Sequence, residues 1–520
     1  MAKESLPEWP PQLTEAQVHS LTLLATTYAL SHGLVYLPVA SVQPPTPTST
    51  IHAPLSLFPS PVPRRLFNQA RNLQSLYNKL YARIAMDEVF LDRVMGVNGV
   101  GKVDEFTGEL WKRWKRLRDE GGVVQSLQLG LFRSDYMVHV PRKDEPANLK
   151  QVEFNTISSS FGPLSERSSQ LHRYLHASTG YYGASAHLTA DKFPPNTTIS
   201  GLVEGLAEAH RAYNIPDTRI LFVVQPGERN VFDQRWLEYE LLERHSIHVI
   251  RQTFDELSAS AHIEATTKAL RITLDPSLFS SPSSSTSNSA SIEISTIYFR
   301  AGYTPTDYPT LAHYDIRYLL ESSRAIKCPS IPLQLAGGKK VQEILTKSGV
   351  LESFLPEDEH KPHDLTAIRE TWMEMWSLDE NGDSGVQKAR DKALELVLKP
   401  QREGGGNNVY KESIPAFLDT LPEAEREAWI AMKLIKTPEG LGNYLVRAGG
   451  GGTGLEGAVK TEVVSELGIF GWALFGEKDG ERKVVKEKEA GWLVRTKGKE
   501  SNEGGVAAGF SVLDSIVLVD

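Results

Sequence analysis

From Thr218 onward, short apolar runs alternate with amphipathic ones, and this alternation limits the folds open to the chain. Ile220 to Val224 is continuously apolar, Phe232 to Arg244 has helical spacing, and Ile247 to Ile250 is apolar again. Ile272 to Leu274 and Ile292 to Phe299 extend the series. Strands separated by a helix-length segment pair in parallel, because the helix carries the chain back to the same end of the sheet. The expectation is an α/β unit with a mostly parallel sheet. Ser280 to Ser291 is read as a hairpin or loop insertion within it.

The flanking sequence is organised differently. Thr14 and Gln17 form a capping box for a first helix that stops near Gly33, with Leu13 and Val18 as a hydrophobic staple. Residues 40–65 are rich in Pro, Ser and Thr and read as an extended connector. Helical spacing returns from about Pro63 to Met95 and from Phe106 to Leu117. After a helix over Thr310 to Arg324, residues 341–396 are mostly helical and charged. The last third alternates glycine loops with short strands at Val397-Leu398, Ala428 to Leu434, Thr461 to Val464, Val484-Val485 and Trp492 to Arg495. These textures divide the 520 residues into 1–217, 218–338 and 339–520.

Composition excludes some functions. The net charge of −9 argues against a general nucleic-acid binder. Cys328 is the sole cysteine, which fits a reducing compartment and a structural thiol. No apolar stretch reaches membrane-spanning length, and the first residues lack a signal-peptide core. A cytoplasmic protein without membrane attachment is expected. H-E-x-x-H, G-x-S-x-G and the P-loop pattern are absent.

The strongest chemical signal is Lys399-Pro400-Gln401-Arg402-Glu403-Gly404-Gly405-Gly406-Asn407-Asn408. Glycines let backbone amides approach a phosphate, Lys399 and Arg402 add positive charge, and Glu403 offers oxygen to a divalent cation. A plain turn is the alternative. The run Gly449 to Gly454 has glycines without charged neighbours and reads as a connecting loop. Strand alternation puts Glu153 and Asn155 on one face, which suits magnesium, although a solvated face would look the same. Ile157, Ser158, Ser159 and Ser160 offer amides and hydroxyls, or make only a serine turn. Arg133 can clamp a carboxylate; taken alone, pairing with Asp135 is the simpler reading. Arg300 ends a strand before Gly302, where an α/β sheet binds ligands, or serves a structural ion pair. Lys339, Arg495 and Lys497 lie at glycine turns and a strand end and hint at a polyanion.

Together these residues resemble the eukaryotic-type glutathione synthetases. The matching runs are Arg133 to Tyr136, Glu153 to Ser158, Glu228 to Gln234, Tyr298 to Tyr303, Lys327 to Pro329, Gln334 to Gly337, Lys399 to Asn408, Ser465 to Phe470, Arg495 to Lys497 and Gly504 to Gly509. The resemblance implies an ATP-grasp fold, a homodimer, and ligation of γ-glutamylcysteine to glycine with ATP through an acylphosphate. It implies Glu153, Asn155 and Glu403 as magnesium ligands. It places ATP against Glu153, Lys339, Lys399, Pro400, Gln401, Arg402, Glu403, Gly404, Gly405, Gly406, Asn407, Asn408, Tyr410, Met432, Lys433, Leu434, Ile435, Glu466, Lys497 and Glu503. Arg133, Ile157, Ser158, Ser159, Ser160, Glu228, Arg229, Asn230, Gln234, Arg300, Ala301, Gly302, Tyr303, Arg495, Val506 and Ala507 would hold the dipeptide and glycine. Arg133, Lys399 and Arg495 would act in catalysis, and 404–406 and 504–509 would be lids. Ala301, Lys433 and Glu503 depart from the family pattern. The residues leave two other readings: a ligase with another acceptor such as β-alanine, and an inactive ATP-binding scaffold.

Overall fold

The computed structural model describes residues 6–39, 45–142, 145–275, 290–356, 359–380, 382–403, 406–447, 457–501, 506, 509 and 511–520. Its backbone is a seven-stranded sheet drawn from both ends of the chain. In space the strands run Gly442–Val446, Leu55–Ser56, Ser511–Asp514, Glu481–Gly498, Ala458–Lys478, Leu127–His139 and Asn148–Asn155. Gly442–Val446 pairs also with Ala458–Lys478, so five of the strands close on themselves.

The readings of Thr461 to Val464, Val484-Val485 and Trp492 to Arg495 as three short strands are corrected. They belong to one hairpin of 21- and 18-residue strands. Its tip is charged on both arms, so it lacks the alternation that marks a half-buried strand. The connector over 40–65 also holds strands, Ile51–His52, Leu55–Ser56 and Ser60–Pro63.

The helix Arg64–Met86 covers one face of the sheet. It buries Leu66, Phe67, Ala70, Leu73, Tyr77, Leu80, Tyr81 and Ile84, an apolar stripe at helical spacing. Tyr81 stacks on Phe154 at 4.0 Å and Phe67 meets Trp492 edge-on at 6.0 Å. Each such side chain contributes about 1.5–3 kcal/mol through burial. Gly162–Thr179 and Thr198–Tyr213 pack on the opposite face, where Trp472 is fully buried.

The expected α/β unit has a six-stranded sheet. Arg219–Val223 pairs in parallel with Val249–Gln252 and with Ala290–Phe299, which pairs in parallel with Ile326–Cys328. Leu270–Leu274 and Ala261–Ile263 add an antiparallel edge. Most of the Ser-rich insertion and the glycine run 449–454 lie outside the described residues. A third sheet orders Met375–Ser377, Trp429–Lys433, Leu396–Pro400 and Val409–Tyr410, all antiparallel. Among the described residues, no helix is long and apolar enough to cross a membrane.

Candidate active site

A cavity of about 390 Å³ lies where these sheets meet. Strand alternation turns Arg133 and Glu153 toward it from neighbouring strands. Lys399 reaches it from Leu396–Pro400, and Glu466 and Arg495 from facing positions of the long hairpin.

Its electrostatic focus is Lys339, the first residue of the helix Lys339–Leu345. The ammonium lies 3.0 Å from Glu153 Oε2 and 2.8 Å from Glu403 Oε1. Burial opposes ionisation of Glu153, but Lys339, with Lys399 and Arg495 nearby, holds its carboxyl well below the usual range. Burial raises the Glu403 carboxyl, and Lys339 offsets only part of that rise. Lys399 donates to the Val152 carbonyl at 2.8 Å. Burial pushes its ammonium down to about 8, against the pull of Glu153.

The residues fit a hard divalent cation bound together with a phosphate chain. Glu153 and Glu403 bring two carboxylates to one point. The Asn155 amide nitrogen donates to Asp135 at 2.9 Å and to the Arg133 carbonyl at 3.2 Å, which keeps its carbonyl oxygen for a ligand role. Among the described residues, no three His, Cys, Asp or Glu side chains gather as a metal site. Magnesium needs no such cage, since one or two carboxylates and substrate phosphates suffice for it.

The serine turn borders the same cavity. Arg133 donates to the Ser160 carbonyl at 3.2 Å and forms a bidentate pair with Asp135. Asp233 accepts from the Phe161 and Leu164 amides at 2.8 and 3.2 Å, tying the turn to the helix Val231–His245. Arg300 Nε, Ser159 Oγ and Asn230 Oδ1 are buried without a hydrogen-bond partner among the described residues, and all three side chains line the cavity. Orphaned polar atoms are costly, and three around one space suit a polar ligand.

Most of the expected site residues border this cavity: Arg133, Glu153, Asn155, Ile157 to Ser160, Glu228, Asn230, Arg300, Tyr303, Lys339, Lys399, Arg402, Glu403, Asn407, Asn408, Tyr410, Met432 to Ile435, Glu466, Arg495, Lys497 and Val506. Several do not. Arg229 turns away, donating to the Leu37 carbonyl at 3.2 Å and packing over Tyr36. Gln234 stands behind the wall, holding Glu228 at 3.0 Å. Ala301 and Gly302 form a turn whose Gly302 amide donates to Asp307 at 2.8 Å. Pro400 and Gly406 are off the wall. Gln401 is buried, accepting from the Lys340 amide and donating to the Ala428 carbonyl, both at 3.1 Å. Arg402 does border the cavity, but it is paired with Asp104, so its charge is partly spent. Gly404, Gly405, Glu503 and Ala507 lie outside the described residues.

The wall also holds Met137, Val152, Phe161, Val397, Lys411, Thr437, Val464 and Ser501. Val397 and Val464 sit two residues before Lys399 and Glu466, so a period-two reading from those residues would have found them.

Fold and site together are those of an ATP-dependent ligase of ATP-grasp type. Comparison with known proteins narrows the class. The sequence model for the eukaryotic glutathione synthase ATP-binding domain matches residues 15–518. The glutathione synthetase large chain of Schizosaccharomyces pombe is 39% identical, covering 97% of this chain and 98% of that protein. Glutathione synthetase of Homo sapiens is 38% identical, with 96% of each chain covered. A glutathione-synthetase-like effector from Globodera pallida, solved in its apo form, superposes with a TM-score of 0.72 over 98% of both chains at 24% identity, and so supports the fold. The chain belongs to the eukaryotic glutathione synthase family.

Proposed function

We propose that this chain joins γ-glutamylcysteine to glycine at the expense of ATP, yielding glutathione, ADP and phosphate. The observation that carries the reading is the convergence of Lys339, Glu153 and Glu403 in one cavity with the serine turn and Arg300. A cysteinyl carboxylate oxygen attacks the γ-phosphorus and ADP leaves. The glycine amine then attacks the acyl carbon, phosphate leaves and the amine loses a proton. Phosphoryl transfer rests on positioning and charge stabilisation, which lysines and arginines supply without a protein nucleophile. Magnesium, held by Glu153, Asn155 and Glu403, would neutralise charge on the phosphates. Lys339 and Lys399 face the phosphates, with Tyr410 and Met432 to Ile435 around the nucleotide. Arg133, Arg495, Arg300 and the serine turn hold the dipeptide. The 218–338 unit adds Arg300 to a dipeptide side built largely from other segments, and 339–520 carries Lys339, Lys399, Tyr410 and Met432 to Ile435 on the nucleotide side.

The chain acts as a homodimer in this reading. Buried, unpaired Cys328 supports a reducing compartment, for which we propose the cytoplasm. A relative from Arabidopsis thaliana is named chloroplastic, so tagging in cells is the test of location.

The deciding assay is phosphate release with ATP and γ-glutamylcysteine, comparing glycine with β-alanine. Glycine-dependent release is expected. Preference for β-alanine would reassign the acceptor, and no acceptor-dependent release would leave an inactive scaffold.

A further inference from the structure

Asp135 lies outside the cavity wall, yet three of the residues assigned to substrate or metal depend on it. Its side chain is wholly buried on Leu127–His139. One oxygen accepts from Arg133 Nε at 2.6 Å. The other accepts from Arg133 Nη2 at 2.8 Å, Asn155 Nδ2 at 2.9 Å and Arg495 Nη2 at 3.1 Å. Arg495 also pairs with Glu466.

The donors come from three strands, and one of them is not adjacent. Ala458–Lys478 runs between Asp135 and Arg495. Gly468 of that strand is the residue opposite Asp135. A Cβ at Gly468 would lie 2.8 Å from Arg133 Cδ and 2.8 Å from Asp135 Oδ1. The missing side chain therefore leaves room for the Arg133–Asp135 pair against the neighbouring strand.

We propose that Asp135 is a positioning residue that fixes two guanidinium groups and one amide in their working orientation. It holds Arg133 and Arg495 toward the dipeptide. By accepting one Asn155 amide proton, while the Arg133 carbonyl accepts the other, it turns the Asn155 carbonyl oxygen into the available ligand atom. Charge-assisted hydrogen bonds are stronger than neutral ones, and a bidentate pair fixes direction as well as distance. This deepens, and rests on, the function proposed above.

The test compares wild type with Asp135→Asn in the full chain by steady-state kinetics. Calorimetry of γ-glutamylcysteine binding without ATP or metal provides a second readout. Absence of glycine-dependent turnover in the wild type would defeat the functional reading itself, and calorimetry alone would then judge Asp135. Asp135→Asn is expected to raise the dipeptide KM and its calorimetric Kd by about tenfold or more, and to raise the magnesium concentration for half-maximal rate. The ATP KM should stay near wild type, while the melting temperature should fall, because two guanidinium groups lose a buried counter-charge. An unchanged dipeptide Kd, or a uniform loss in every constant, would overturn the proposal. If Asp135→Asn does not fold, Gly468→Ala decides. It crowds the same pair, and the same selective rise in dipeptide Kd is required of it.

Discussion

Lys327 lies on the strand Ile326–Cys328 and is wholly buried, its ammonium donating to the Ser323 carbonyl at 2.6 Å. Burial pushes it down to about 7, Glu321 opposes that, and Arg317 adds to it. In the unfolded chain the group titrates near its ordinary value of 10.5. Between those values the unfolded state binds more protons, so stability rises with pH. The cost of the buried charge is fully present below about pH 7 and is relieved as pH rises toward the unfolded value. Lys327→Met should therefore melt above wild type at neutral pH and below. Its advantage should shrink by about 1.4 kcal/mol per pH unit above 7. Melting curves at several pH values check this, and a pH-independent difference would refute it. At this scale the site was partly legible. The i, i+2 spacing of Arg133 and Asp135 shows their pairing, because strand residues two apart share a face. Arg229 and Gln401 were not legible, since spacing near a turn does not state which way a long side chain points.

The hairpin Ala458–Lys478 and Glu481–Gly498 turns through Asp479 and Gly480, with φ of 56° and 77°. Two consecutive positive φ values suit the right-handed twist of the paired strands, and Asp-Gly is a preferred sequence there. A Cβ on Gly480 would meet nothing within 4 Å, so Gly480→Ala suffers only backbone strain. It should cost about 1 kcal/mol. Glu466 lies about 40 Å back along the strand, so KM values should not move. Denaturation beside kinetics separates the two effects, and a changed dipeptide KM would contradict this account. The helices and the parallel sheet of the 218–338 region were legible because each buries a face with its own period. The hairpin arms were less so. Residues 481–489 are charged on both faces, and pairing with Ala458–Lys478 rather than a buried face holds them extended.

Lys339 joins Glu153 of Asn148–Asn155 to Glu403, which follows Leu396–Pro400, so one ammonium links distant parts of the sequence. Lys339→Met would leave two carboxylates facing each other. Removing one partner of a buried ion pair costs about 3–5 kcal/mol, read here as a lowered melting temperature. Magnesium chloride without nucleotide should restore part of the loss, because a ligand of the folded state stabilises it. A melting temperature equal to wild type would refute the bridging role. No sequence pattern announced this contact, since it exists only after three segments have met.

The seven-stranded sheet interleaves strands from the two ends of the chain, and Ile516–Val519 lies in parallel with Ser60–Pro63. On a ribosome, which adds about 5–20 residues per second, Ser60–Pro63 waits on the order of half a minute or longer for that partner. Throughout that interval its strand edge stays unpaired, and the core that Ile516, Val517 and Leu518 complete stays open. A stop codon just before residue 516 would keep Glu466, Arg495 and Lys497, yet leave that edge permanently unpaired. Such a truncation should be lost to aggregation or proteolysis before its chemistry could matter.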